Sequence, residues 1–215
     1  SNLARSLDGL KLCIKRCMLP RAASFLHTIG PGRGYVSRGG ILNAVYSPIL
    51  DSGIFEAVQK KRIKNQPVVA LITDIGNDIM YDASPDKIIG GLQYLYELLD
   101  AFETNIFITS IPVDLKNDIS ELCFHILRKV YFPNSPVTYS QASNNIKAIN
   151  QFILQSSNPK ISVIDDMKSF YGIDKIHYSI LKSQMAWSHI AGKLTASFDI
   201  NLSPELKTSE VALSM

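Results

Sequence analysis

The chain has 215 residues, a length for one substantial domain, and with 46% apolar against 19% charged residues it is too hydrophobic to remain disordered. Its formal charge of +3 is too slight for the electrostatic footprint of a nucleic-acid binder. The longest uncharged apolar run, Gly39 to Leu50, stops at 12 residues, short of the roughly 18 that a membrane span needs. We therefore expect residues 1–215 to form one domain, with 1–21 as an N-terminal extension and 197–215 as a C-terminal tail. Cys13, Cys17 and Cys123 cannot all pair internally and lack the spaced partners of a zinc site. Cys13 and Cys17 share a face if their segment is helical, and both read as buried free thiols in a reducing, cytoplasmic setting.

Taken in chain order, the elements alternate between strand and helix. Ala23 to Ile29 reads as a first strand, interrupted by His27 and Thr28. A helix is expected from Ile54 to Lys61, ending in the cluster Lys60-Lys61-Arg62 with Lys64, whose cations suit a solvated helix C-terminus. Val68 to Thr73 is a short continuous apolar run, the pattern of a parallel strand buried on both faces. Ser84-Pro85-Asp86 then supplies an N-cap, a first-turn proline and a first-turn acid. The stripe Ile88, Ile89, Leu92, Leu95, Tyr96, Leu99 and Phe102 makes that helix amphipathic. Asn105 to Ile111 and Ile161 to Ile164 read as two further strands, with helices expected over 118–130, 140–155 and 179–196. Strands separated by helices imply right-handed crossovers, so the expected fold class is α/β, a three-layer α/β/α sandwich on a mostly parallel sheet. In such folds reactive residues lie beyond the carboxyl ends of strands, where strand order reverses.

Three strand ends carry polar clusters. Past the first lies Gly30-Pro-Gly-Arg-Gly-Tyr35 and then Val36-Ser-Arg-Gly-Gly40, five glycines within eleven residues. They imply positive-φ turns or close backbone approach, and the spacing fits neither a P-loop nor a dinucleotide fingerprint. Past Thr73 comes Asp74-Ile-Gly-Asn-Asp78. Its carboxylates and amide read either as a turn whose side chains bond their own backbone or as an oxyanion-stabilising donor set. Past Ile164 comes Asp174-Lys-Ile-His177, where a carboxylate three residues before a histidine can fix its tautomer. His27, His125 and His189 have no such neighbour and read as structural.

Together, an Asn-Asp turn after a central strand and an Asp-x-x-His before the last helix resemble the SGNH, or GDSL, hydrolase superfamily. The resemblance spans roughly residues 22–194 and implies a flavodoxin-like sandwich and hydrolysis of carboxylic or acetyl esters, with no metal and no cofactor. It implies that Asn77 is an oxyanion donor supported by Asp78 and Asp74, although Ile75 stands where that block has its first glycine. Gly53 is the best match to a second block that supplies a backbone oxyanion donor. Asp174 and His177 match the last block as carboxylate and general base. The first block should read Gly-Asp-Ser, but here it is Gly32-Arg33-Gly34, with glycine at the nucleophile position and Arg33 at that of the aspartate. Gly34 would then offer only a backbone donor, leaving Ser37 or Ser110 as candidate nucleophiles, or water itself. The partner expected is a small-molecule ester, without nucleic acid or a membrane span, and the oligomeric state stays open. Two other readings remain: a relative that binds an acylated or sugar ligand without turnover, with Arg33 meeting an anionic group, or an interaction scaffold.

Overall fold

The computed structural model describes residues 2–41, 44–63 and 66–196. Eight α-helices and three strands follow one another among them: α1 (Asn2–Met18), α2 (Ile54–Lys61), β1 (Val69–Ile72), α3 (Asn77–Met80), α4 (Pro85–Asp100), β2 (Asn105–Thr109), α5 (Leu115–Asp118), α6 (Glu121–Tyr131), α7 (Tyr139–Leu154), β3 (Ile161–Ile164) and α8 (Ser183–Ala196). The architecture is α/β, consistent with the three-layer α/β/α sandwich expected, and its sheet is fully parallel in the order β1-β2-β3. Ile72 pairs with Ile108 and Ile108 with Val163, so the three apolar runs lie in one register. No helix of the described residues is long and apolar enough to cross a membrane.

The described residues divide into two compact units, one of Leu26–Asp166 and one of Asn2–Phe25 with residues 167–196. The first unit holds the whole sheet. Both crossovers step the same way across it, so right-handed connections put α4 and α7 on one face, and these two helices pack together. Ile88 and Leu92 of α4 and Ile149 and Ile153 of α7 are wholly buried there. Local signals start both helices. The Ser84 hydroxyl accepts from the Lys87 N–H at 3.3 Å ahead of Pro85. Thr138 and Gln141 exchange the two hydrogen bonds of a capping box before α7. In the second unit α1 packs against α8. Cys13 and Cys17 are buried on α1, and the Cys13 thiol lies 3.7 Å from the Ser188 hydroxyl.

Several expectations are corrected. Residues 22–30 form neither strand nor helix; the polar residues that interrupt the run point outward, with Ser24 and His27 exposed, and the Thr28 hydroxyl bonds the Arg33 guanidinium. Without that strand the sheet order shows no reversal among the described residues. The segment taken as an extension is a helix through Met18. The helix expected from Asp118 is two: Asp114 caps α5, and Ser120 opens α6 by accepting from the Cys123 N–H. β2 stops at Thr109 because the Asn150 amide takes over the backbone of Ile111, accepting from its N–H and donating to its carbonyl, both at 2.8 Å. The expected tail, 197–215, lies outside the described residues.

Candidate functional site

The glycine-rich loop owes its shape to the segment that leaves β1. Thr73 follows the last residue of the strand, where its backbone has no ladder partner in the β1–β2 register. The Tyr35 hydroxyl serves both groups, donating to the Thr73 carbonyl at 2.8 Å and accepting from its N–H at 3.1 Å. Burial and the nearby carboxylates push that phenol well above its ordinary range, so it stays a neutral donor and acceptor. Tyr81, past α3, donates to the Gly32 carbonyl at 2.7 Å and is itself pushed up to about 12 by burial and by Asp78.

Asp78 is the centre of this arrangement. It is completely buried, and its carboxylate accepts from three consecutive backbone N–H groups: Tyr35 at 2.6 Å, Val36 at 3.1 Å and Ser37 at 2.8 Å. Burial pushes its carboxyl above the ordinary carboxylate range, against the downward pull of those backbone donors and of the Ser37 hydroxyl. Gly34 abuts the same carboxylate: a Cβ there would stand 2.9 Å from Asp78 Cγ and closer still to Oδ1. Position 34 therefore cannot carry a side chain while Asp78 holds the loop. Gly39 is constrained likewise, since a Cβ would overlap the Tyr81 ring. The close approach that the glycines permit is to the protein's own side chains.

The other candidates of the first unit gather around this loop. Asn77 donates its amide N–H to the Arg33 carbonyl at 3.0 Å, which leaves the second amide hydrogen to offer elsewhere. The Arg33 guanidinium donates to the Ser47 carbonyl, the Ser47 hydroxyl and the Thr28 hydroxyl, and lies over the Tyr46 ring. Arg33 therefore ties together the two flanks of its own loop. Ser37 is buried with its hydroxyl and N–H directed to Asp78. Asp74 takes up the strained φ of +59° at the turn out of β1 and accepts from the Asn77 N–H through its carbonyl. The Gly34 and Tyr35 carbonyls accept from the Ile49 and Leu50 N–H groups. That tie fixes the short 3₁₀ turn leading to Gly53, which adopts φ +72° at the start of α2. Ser110, the other candidate nucleophile, is buried just past β2, with its N–H on the Ile164 carbonyl.

Asp174 and His177 belong to the second unit. Their loop is closed at its base by a Tyr171–Tyr178 bridge, and the Gly172 N–H donates to the His177 carbonyl at 2.8 Å. Lys175 turns the chain at φ +55°. Asp174 Oδ1 accepts from the Ile176 and His177 N–H groups at 3.1 and 3.0 Å, and Oδ2 lies 2.8 Å from His177 Nδ1. Burial pushes the Asp174 carboxyl up, but the hydrogen bonds from His177 and Ile176 outweigh it and hold the group below its ordinary value. A carboxylate only accepts, so Nδ1 of the neutral ring carries the hydrogen and the lone pair falls on Nε2. That is the tautomer a general base needs.

No family model, curated protein or solved structure matches this chain.

The candidate residues thus form two constructions, one in each unit. Gly34, Arg33, Ser37, Asn77 and Asp78 are tied by direct hydrogen bonds or contact, and Asp174 is tied to His177. Among the described residues no group of three or more His, Cys, Asp and Glu could hold a metal ion. Sequence reasoning missed Tyr35, Tyr81 and Thr73. A tyrosine beside a glycine turn carries no pattern showing which distant backbone its hydroxyl will satisfy. The one available sign was that each aromatic borders one of the two polar turns; its hydroxyl bonds the backbone of the other.

Proposed function

We propose that the chain is an SGNH-like hydrolase of carboxylic or acetyl esters. The observation that supports this most directly is the Asp174–His177 pair, with Oδ2 at 2.8 Å from Nδ1 and the loop bonded back onto the same carboxylate. In the proposed reaction His177 Nε2 takes a proton from water as its oxygen attacks the ester carbonyl. Collapse of the tetrahedral intermediate expels the alkoxide, which takes the proton back from the imidazolium. Water is the nucleophile favoured, because Gly34 has no room for a side chain and the Ser37 hydroxyl is engaged by Asp78.

Hydrolysis of p-nitrophenyl acetate and butyrate tests the reading. Wild type should exceed His177→Ala and Asp174→Asn by at least ~100-fold in kcat, given what loss of an oriented base costs. Ser37→Ala should retain activity if water attacks and lose it if Ser37 is the nucleophile. Equal, negligible rates for wild type and His177→Ala would refute hydrolysis.

A second reading, binding of an acylated or sugar ligand without turnover, is favoured by the same crowding at Gly34. It predicts a raised melting temperature with such ligands and no product.

A further inference from the structure

The loop that holds His177 and the turn after it carry the three most exposed large apolar side chains of the described residues. Ile173 is 100% exposed, Leu181 90% and Ile180 81%. This is not a loose segment. The Tyr171–Tyr178 bridge, the Ser179 N–H on the Phe170 carbonyl and the edge-to-face stack of Tyr171, Tyr178 and buried Trp187 fix its base. A built loop that holds aliphatic side chains in water sacrifices their burial for something outside the fold.

Charge identifies the occupant. Residues 2–25 and 167–196 of the second unit carry nine lysines and arginines against only Asp8 and Asp174, a net +7, whereas residues 26–166 carry 12 cations and 14 anions, a net −2, and residues 197–215 carry Lys207 against Asp199, Glu205 and Glu210, a further −2. The near-neutral total conceals this asymmetry. Of the two carboxylates, Asp8 lies 3.9 Å from Lys11 and Asp174 is engaged by His177. Within the apolar stretch itself, Lys175 stands between Ile173 and Ile176, and Lys182 follows Leu181. Aliphatic side chains interleaved with lysines match a surface that is apolar beneath and anionic above. Nucleic acid would engage the cations but has no use for exposed isoleucine and leucine.

We propose that this face of the second unit, centred on Ile173, Ile180 and Leu181, docks on an anionic lipid bilayer. The aliphatic tips enter the headgroup boundary and the lysines meet the lipid phosphates and carboxylates. Docking of this kind needs no membrane-spanning segment. His177 lies in the same loop, so the hydrolase reading, on which this last step alone rests, takes an ester lipid as its substrate.

Flotation of the full chain with phosphatidylcholine vesicles, with and without phosphatidylserine, tests the docking without any turnover. Wild type should float with the serine-containing vesicles and weaken as salt is raised. Ile173→Ser with Leu181→Ser should reduce binding about 100-fold, roughly tenfold for each aliphatic chain removed from the boundary. Both positions are exposed, so circular dichroism should be unchanged. Three results would overturn the proposal: no flotation with anionic vesicles, flotation indifferent to the double substitution, or retention of an oligonucleotide in place of vesicles. A self-association abolished by the same substitutions, without flotation, would assign the face to a second copy instead and would equally refute it.

Discussion

Replacing Asp78 tests the central claim about the first unit, that one buried carboxylate dictates the path of the glycine-rich loop. In Asp78→Ala the N–H groups of Tyr35, Val36 and Ser37 all lose their acceptor. A buried donor left unsatisfied costs about 1–3 kcal/mol. Relief from desolvating the carboxyl, which burial already pushes up, offsets part of that. A net loss of about 3–5 kcal/mol follows, or a fall in melting temperature of roughly 10 °C for a chain of this size. Asp78→Asn should cost less, about 1–3 kcal/mol, because its oxygen can keep Val36 and Ser37 while its NH2 faces only the Tyr35 N–H. Urea denaturation gives the stabilities, and amide hydrogen exchange shows where they act. Protection should drop selectively at residues 35–37. The pH dependence adds an independent check. A carboxyl raised in the folded state contributes stability that is fully present below the unfolded value, about pH 4, and is lost as pH rises through the folded one. The advantage of wild type over Asp78→Asn should therefore shrink as pH increases from about 4. Unaltered exchange at 35–37 in Asp78→Ala, or a stability equal to wild type, would refute the argument.

Tyr35→Phe removes the hydroxyl that serves both backbone groups of Thr73 and should cost about 2–4 kcal/mol, read as a shift in denaturant midpoint with the slope unchanged. Gly90 and Gly91 are adjacent in α4 but should respond with opposite sign. Nothing lies within 4 Å of a Cβ at Gly90, so Gly90→Ala should stabilise by about 0.5–1 kcal/mol, whereas at Gly91 a Cβ would overlap the Val36 Cγ1 methyl and Gly91→Ala should destabilise by about 1–3 kcal/mol. Asp174 carries the reverse pH sign to Asp78. Its folded value is depressed, so its contribution is present above about pH 4 and lost as pH falls through the folded value; the wild-type advantage over Asp174→Asn should vanish in acid, as melting curves from pH 3 to 7 would show.

The parts of this fold legible in the sequence are those whose cause is local. Val68 to Thr73 and Ile161 to Ile164 read as strands because a short apolar run needs no distant partner to be recognised, although β1 is only half-buried before Ile72 and Ser162 of β3 is exposed, and Ser84-Pro85-Asp86 announced α4 by capping chemistry contained in three residues. Asp174 and His177 were legible for the same reason, since three residues separate the partners. Ala23 to Ile29 failed because an apolar fraction was taken for a strand, although its polar members face outward and its Thr28 is claimed by a guanidinium five residues on. α1 was missed because its buried face, with Cys13 and Cys17, is matched by α8 some 170 residues later, and no local signal reveals that partner.

The glycine-rich loop shows how a correct local reading can still leave the physical cause open. Five glycines in eleven residues required close approach, and the sequence offered a ligand or a turn as the thing approached. The structure supplies neither alone: Gly34 and Gly39 are closed against Asp78 and Tyr81, residues some 40 positions downstream. The same contact explains why Asp78 is buried at all. A carboxylate in the core is expensive unless donors surround it, and three successive N–H groups can point at one carboxylate only where position 34 lacks a Cβ. Glycine and aspartate are therefore a single device split between the glycine-rich loop and the turn past β1, and it is this device that sets the Arg33 carbonyl within reach of the Asn77 amide. The polar turn past β1 thus shapes the loop whatever chemistry it performs. For that reason Asp78→Asn should lower stability and any esterase activity together, whereas His177→Ala should lower activity alone. A variant of Asp78 that kept wild-type stability while losing turnover would reverse that assignment and make the buried carboxylate itself part of the chemistry.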